Sequence, residues 1–342
     1  MAELEPRKQS ILQAIVVEYV SAAEPVASEQ IVQKYQLGVK SATVRNEMAE
    51  MVEMGYLEQP HTSAGRVPSD LGYRYYVDRL ITREEPDSTS KTKVRSASEE
   101  GEALQELLRD TARVLSRLTH LLSVATTVRQ QEVTIRHAVL SALGPSQAML
   151  VLILSNGHVE NRMLECPLGL TLEDVGKVNE QLVQAVTGKT LRAMARSKAG
   201  ATNLNPAAEK LFTLIWSTVR STCRELTRGL LITEGEEFMF AQPEFHRNFA
   251  ALNELLTDLI DSDVLYEAVS PSDQAELVTI GKEHRHLGMQ QFSVVRHSYY
   301  VGDREAGVIA LIGPTRMRYD KSIPIVNFTA KALSDSLTRF FG

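Results

Sequence analysis

The strongest constraint on the fold lies between Arg7 and Pro68, where three short helical patterns and a strand–loop–strand follow one another with few residues to spare. Ile11, Leu12, Ile15, Val16 and Tyr19 recur at helical spacing and predict a first helix over about 8–21. AEPV breaks it. Ser28 is a suitable N-cap for a short second helix with Ile31, Val32 and Tyr35 inward, and QLG at 36–38 makes the turn. Ser41 can cap a third helix, SATVRNEMAEMVEMG, which turns Val44, Met48, Met51 and Val52 inward and closes at Gly55. YLEQP then reads as a strand, HTSAGR as a tight loop and VP as the exit. Three helices and a β-wing in this order predict a winged helix-turn-helix.

That module reads DNA by placing the start of its third helix in the major groove. There the outward residues are Ser41, Thr43, Arg45 and Asn46, with Lys40 just before them. Arg chelates guanine O6 and N7, and Asn chelates adenine N6 and N7. Lys40 suits phosphate at a helix N-terminus, and Ser41 and Thr43 can hold phosphate or a base edge. In the wing, Arg66 is the natural finger, His61, Thr62 and Ser63 add hydrogen bonds, and Arg74 is a further phosphate candidate. The charge argues the other way. Met1–Arg83 carries nine Lys/Arg against eleven Asp/Glu, and the whole chain has a net charge of -6. This excludes a protein that coats nucleic acid non-specifically. It leaves a small reading face used by two monomers together. The same fold also serves as a protein-binding module.

Beyond residue 83 the pattern is α+β. Residues 84–101, EEPDSTSKTKVRSASEEG, are polar and predict a linker. From Glu102 to about Arg129, Leu104, Leu108, Leu115, Leu118 and Leu122 step by threes, fours and sevens, a heptad seam suited to a dimer or to the helix's own domain. Two β-rich runs flank Asn156-Gly157, a hairpin signal. A helix follows, with Thr171 or Glu173 near its start and Gly188 past its end. Long helical patterns cover about 207–230 and 245–261 before strands return from Glu276 and a last helix runs from about Ser322 to Phe340. The order suits one α+β domain interrupted by a largely helical insertion.

Other chemistry is weakly marked. TGKT at 187–190 lacks the earlier glycine of a phosphate loop, since Val183 stands there. His284 and His286 could share a strand face, yet no third metal ligand is indicated. GPTRMRYDKS at 313–322 carries three cations and could meet a ligand or cap the last helix. Cys166 and Cys223 are too few for a disulfide framework. No signal peptide and no apolar run of membrane-spanning length stands out, so a cytoplasmic protein is expected. No catalytic residue, metal or cofactor is predicted, and an appended enzyme of the biotin-ligase type would need a Gly/Arg-rich adenylate loop that the sequence lacks.

The stretch SATVRNEMAEMVEMGYLEQPHTSAGRVPSDLGYRYYVD closely resembles the HrcA family of heat-inducible transcription repressors. The resemblance resumes at VTIGKE, 278–283, and at GVIALIGPTRMRYDKSIPIV, 307–326, and is loose over roughly 190–265. It implies a winged helix-turn-helix DNA-binding domain over 1–83, a GAF-like domain over 102–190 and 270–342, and an inserted dimerisation domain over 191–269. It also implies a homodimer that represses chaperone operons through an inverted-repeat operator called CIRCE, and the GroE chaperonin as the partner that maintains activity. The competing reading is a one-component regulator whose GAF-like domain binds a small-molecule effector.

Overall fold

The computed structural model describes residues 3–61, 64–99, 104–130, 132–144, 146–167, 169–200, 203–243, 262–270 and 277–341. The chain is a mixed α+β protein of two compact units, one of Met1–Thr127 with Leu231–Gly342 and one of Val128–Leu230.

Helix α1 (Pro6–Ala22) starts on a proline whose missing N–H is no loss at that position. It buries Ile11, Leu12, Ile15 and Val16 and closes at Ala23, which takes a left-handed φ of 54°. Helices α2 (Ser28–Lys34) and α3 (Ser41–Glu53) follow. Ala27 and Lys40 hold their N-cap positions, so neither Ser28 nor Ser41 caps as expected. Buried Glu18 of α1 ties down α2, accepting from Gln30 at 2.8 Å and from the Tyr35 hydroxyl at 3.1 Å. Strands β1 (Leu57–Glu58) and β2 (Val67–Pro68) form an antiparallel ribbon, with Leu57 opposite Pro68. Helix α4 (Asp70–Tyr75) is capped by the Ser69 hydroxyl, which accepts from the Gly72 amide, and runs on into a wider turn over Tyr76–Leu80. Gly72 is required there, because a Cβ would collide with the Tyr56 carbonyl.

The predicted linker is in large part helix α5 (Ser88–Glu99). Val94, Ala97 and Ser98 are buried where it packs on α6 (Leu104–Thr119) and on the last helix. Lys91 and Arg95 lie over the Phe328 ring, 5.8 and 5.4 Å from its centroid. Helix α6 ends ten residues sooner than expected. His120 takes a left-handed φ of 54° and the chain enters strand β3 (Leu122–Thr127), so Leu122 lies on a strand. Leu108 and Leu115 are fully buried in the core of their own unit, Leu118 is partly buried, and Leu104 is 37% exposed. The five leucines therefore form no continuous helical seam.

The interruption comes earlier than the sequence suggested and is not mainly helical. Strands β4 (Ile135–Gly144), β5 (Gln147–Leu154) and β6 (Val159–Glu165) make their own antiparallel sheet, joined at the expected Asn156-Gly157 turn. Helix α7 (Leu172–Val186) begins with a reciprocal Thr171–Asp174 cap, α8 (Leu191–Arg196) follows, and α9 (Pro206–Arg228) is capped by Asn205. Leu150, Leu152 and Leu154 pack with Val178, Leu182, Ile215, Trp216 and Val219 into one core. The inserted body is thus Val128–Leu230 rather than 191–269, and β4–β6 belong to it rather than to the surrounding sheet.

The chain then completes the first unit with β7 (Leu231–Glu234), α10 (Glu236–Phe240), α11 (Ser262–Val269), β8 (Val278–Ile280), β9 (Phe292–Val301), β10 (Arg304–Pro314) and α12 (Tyr319–Phe341). The predicted helix at 245–261 lies outside the described residues. The sheet is antiparallel in the order β7-β3-β10-β9-β8. Leu122, Val124, Phe292, Val294, Val308, Ala310 and Ile312 share a core with Met239, Leu265 and Val269 of α10 and α11. The alternate residues Ala125, Val295, Ile309 and Leu311 point the other way and are buried too, on the side where α6 and α12 pack.

Candidate nucleic-acid interface

Helix α3 shows one face to its module and one to solvent. Val44, Met48 and Met51 are buried, while Lys40, Ala42, Arg45 and Asn46 are exposed and Ser41 and Thr43 are partly so. The acids farther along are drawn to α1, where Arg7 pairs with Glu47 and Lys8 with Glu50 at 3.0 Å. This leaves Lys40, Arg45 and Asn46 outward over the N-terminal half of α3, an arrangement that suits anions and base edges.

Two of the expected reading residues are tied to a carboxylate that the sequence reading did not single out. Arg45 donates to Glu29 Oε1 at 2.7 Å, and the Ser41 hydroxyl donates to the same oxygen at 3.0 Å. Ser28 donates to Oε2 at 3.2 Å and lies 3.0 Å from Ser41. Hydrogen bonds from its own backbone amide, from Ser41 and from Ser28, with the charge of Arg45, hold Glu29 below the usual carboxylate range. No local pattern marks Glu29, since the turn at 35–40 is what brings α2 against α3.

The β1–β2 ribbon follows α3 in the chain. Its base is bonded to the chain before α2, Val26 and Arg66 exchanging backbone hydrogen bonds of 2.9 Å. Arg66 is half-buried and folds back, donating to the Ala64 carbonyl at 3.1 Å, so here it braces the loop rather than projecting as a finger. His61 is exposed, and Thr62 and Ser63 lie outside the described residues.

Arg74 is displaced from the expected role. Its side chain is 16% exposed and donates to Glu283 Oε1 at 2.7 Å and to the Val278 carbonyl at 2.8 Å. Burial pulls the guanidinium down, but Glu283 and Asp78 more than reverse this and raise it. Around it, Asp70 accepts from the Lys282 amide at 3.0 Å, the Tyr73 and Tyr319 rings lie 6.0 Å apart, and the Tyr319 hydroxyl donates to Ser293 at 2.7 Å. Gly281 leaves no room for a Cβ against Asp70. The stretches at 69–78, 278–283 and 313–322 therefore meet at one joint. His284 beside it is buried, whereas His286 is partly exposed and paired with Glu267 at 3.0 Å. Among the described residues no helix is long and apolar enough to cross a membrane.

A family model described as the HrcA protein C terminal domain matches residues 105–323. The chain is 35% identical to the heat-inducible transcription repressor HrcA of Pelotomaculum thermopropionicum, over 98% of each chain. It is 36% identical to that of Symbiobacterium thermophilum, over 99% of this chain and all of the relative. A crystal structure described as a hypothetical protein at 2.2 Å resolution aligns with a TM-score of 0.63 and 22% identity, over 98% of this chain and 99% of that one, a likeness of fold. By sequence along nearly its whole length, this chain belongs to the HrcA family.

Proposed function

We propose that the protein is a sequence-specific DNA-binding repressor of heat-shock chaperone operons, in which α1–α3 and the β1–β2 ribbon act as a winged helix-turn-helix. It occupies an inverted-repeat operator of the CIRCE type as a homodimer, carries out no chemistry, and relies on the GroE chaperonin to stay active. Membership of a family whose curated relatives are named heat-inducible transcription repressors supports this. The observation that carries it is the exposed N-terminal half of α3, with Lys40, Arg45 and Asn46 outward.

Homodimerisation draws support from the inserted unit. The outer face of β4–β6 carries the rows His137–Ile153–Val159, Val139–Val151–Asn161 and Ser141–Met149–Met163. Val159 is 52% and Met163 58% exposed. An apolar sheet face open to water is a disposition that a second copy would correct.

Fluorescence anisotropy with a CIRCE-type duplex and a scrambled duplex, at two salt concentrations, tests the reading. Tight binding to the repeat alone, by two protomers, is the expected result. Equal weak binding to both duplexes, with and without chaperonin, would reject it. The effector reading has one favourable observation, an open cleft of about 470 Å³ lined by Val20, Leu118, Leu121, Arg316 and Met317. It requires a ligand that raises the melting temperature and also shifts operator affinity.

A further inference from the structure

We propose that Glu29 is a positioning residue that sets the selectivity of the reading helix. The inference rests on the reading above, in which the N-terminal half of α3 meets base edges. Arg45, Ser41, Ser28 and the residue's own amide all direct donors at the Glu29 carboxylate. Their combined effect keeps it ionised at neutral pH.

Two consequences follow from that geometry. An exposed arginine has large rotamer freedom, and its guanidinium reads guanine only when its planar fork is aligned. Glu29 holds the NH2 edge of Arg45 at 2.7 Å and leaves the other donors for a base. Part of the ordering is thus done before DNA arrives. The carboxylate also lies beside the start of α3, where a phosphate would otherwise be drawn. Its charge disfavours docking in registers that bring backbone, and no base, to Arg45. Glu29 therefore trades general affinity for choice. The pair is exposed, with 67% of the Arg45 and 53% of the Glu29 side chain open to water, so its worth to folding is small.

The test uses the full chain with Glu29→Gln, Glu29→Asp, Arg45→Ala and the double variant Glu29→Gln/Arg45→Ala, read as the ratio of Kd for the scrambled duplex to that for the operator. Glu29→Gln is expected to tighten binding to scrambled DNA and lower the ratio about tenfold, with an unchanged Tm. Glu29→Asp keeps the charge but shortens the reach, so the ratio falls without any gain on scrambled DNA. In the Arg45→Ala background Glu29→Gln no longer alters base preference, which a merely structural role would not produce. A selective wild type with an unchanged ratio in Glu29→Gln overturns this inference alone. A wild type without selectivity overturns the DNA reading and this inference together.

Discussion

A guanidinium held by a carboxylate and a carbonyl from a distant part of the chain has little left to offer a phosphate. Arg74 is in that state, held by Glu283 and the Val278 carbonyl. Arg74→Met takes the donor from the Val278 carbonyl and the counter-charge from exposed Glu283, and should cost about 1 kcal/mol in denaturant unfolding. The salt dependence of operator binding should not change, whereas loss of a true phosphate contact would lower its slope by about one. A second residue at the same joint responds to pH. Burial, aided by Arg296, pushes the His284 imidazole from 6.5 down to about 4. Its Nε2 has no hydrogen-bond partner among the described residues. The unfolded chain takes up this proton near pH 6.5 and the folded chain only near pH 4. Stability from this group is therefore complete above pH 6.5 and drains away as the pH falls towards 4, by an amount on the order of 3 kcal/mol. Urea titrations across that window should show the loss, and His284→Asn should flatten it. An equal slope in both proteins would assign the acid sensitivity to other groups.

At the scale of elements, α5 makes the sharpest prediction. Lys91, Lys93 and Arg95 stand in a segment that composition marks as a linker, yet they belong to a helix whose Val94 is fully buried. Trypsin under native conditions should leave these bonds intact, and Val94→Asp should expose them by placing an unpaired charge in an apolar contact. Rapid cleavage of the wild type would mean that the helix does not hold. The same element shows what a sequence can carry. Helices α1 to α3 and the ribbon were legible, because each has its own apolar face and its own punctuation. Helix α5 was not, because it offers only Val94, Ala97 and Ser98 and draws its order from α6 and α12. The end of α6 was hidden because Leu118, Leu122 and Ala125 keep helical spacing across a turn at His120. The outward placement of candidate residues was legible where helical spacing alone decides, as for Lys40, Arg45 and Asn46. It was not where tertiary partners decide, since Glu29 meets Arg45 only across the α2–α3 turn and Arg74 meets Glu283 only through the last strands.

At the scale of the molecule, the inserted unit could not be bounded by pattern, because β-rich runs around residues 150 and 309 look alike until their partners are known. Pairing decides: β5 lies between β4 and β6, while β10 lies between β3 and β9. This assigns an apolar outer sheet face to Val128–Leu230 and makes the proposed dimer testable. Met163 is 58% exposed, so Met163→Glu should leave the fold almost untouched in a monomer but bury a charge if two copies meet on this face. Sedimentation should then show the variant shifted towards monomer. Operator affinity should fall by about a hundredfold or more, because two linked half-site contacts become two separate ones. Binding to a single half-site should keep its wild-type strength, since Arg45 and Asn46 lie in the other unit. An unchanged dimer would move the interface away from this sheet, and an equal loss on the half-site would point to damage in the reading module itself.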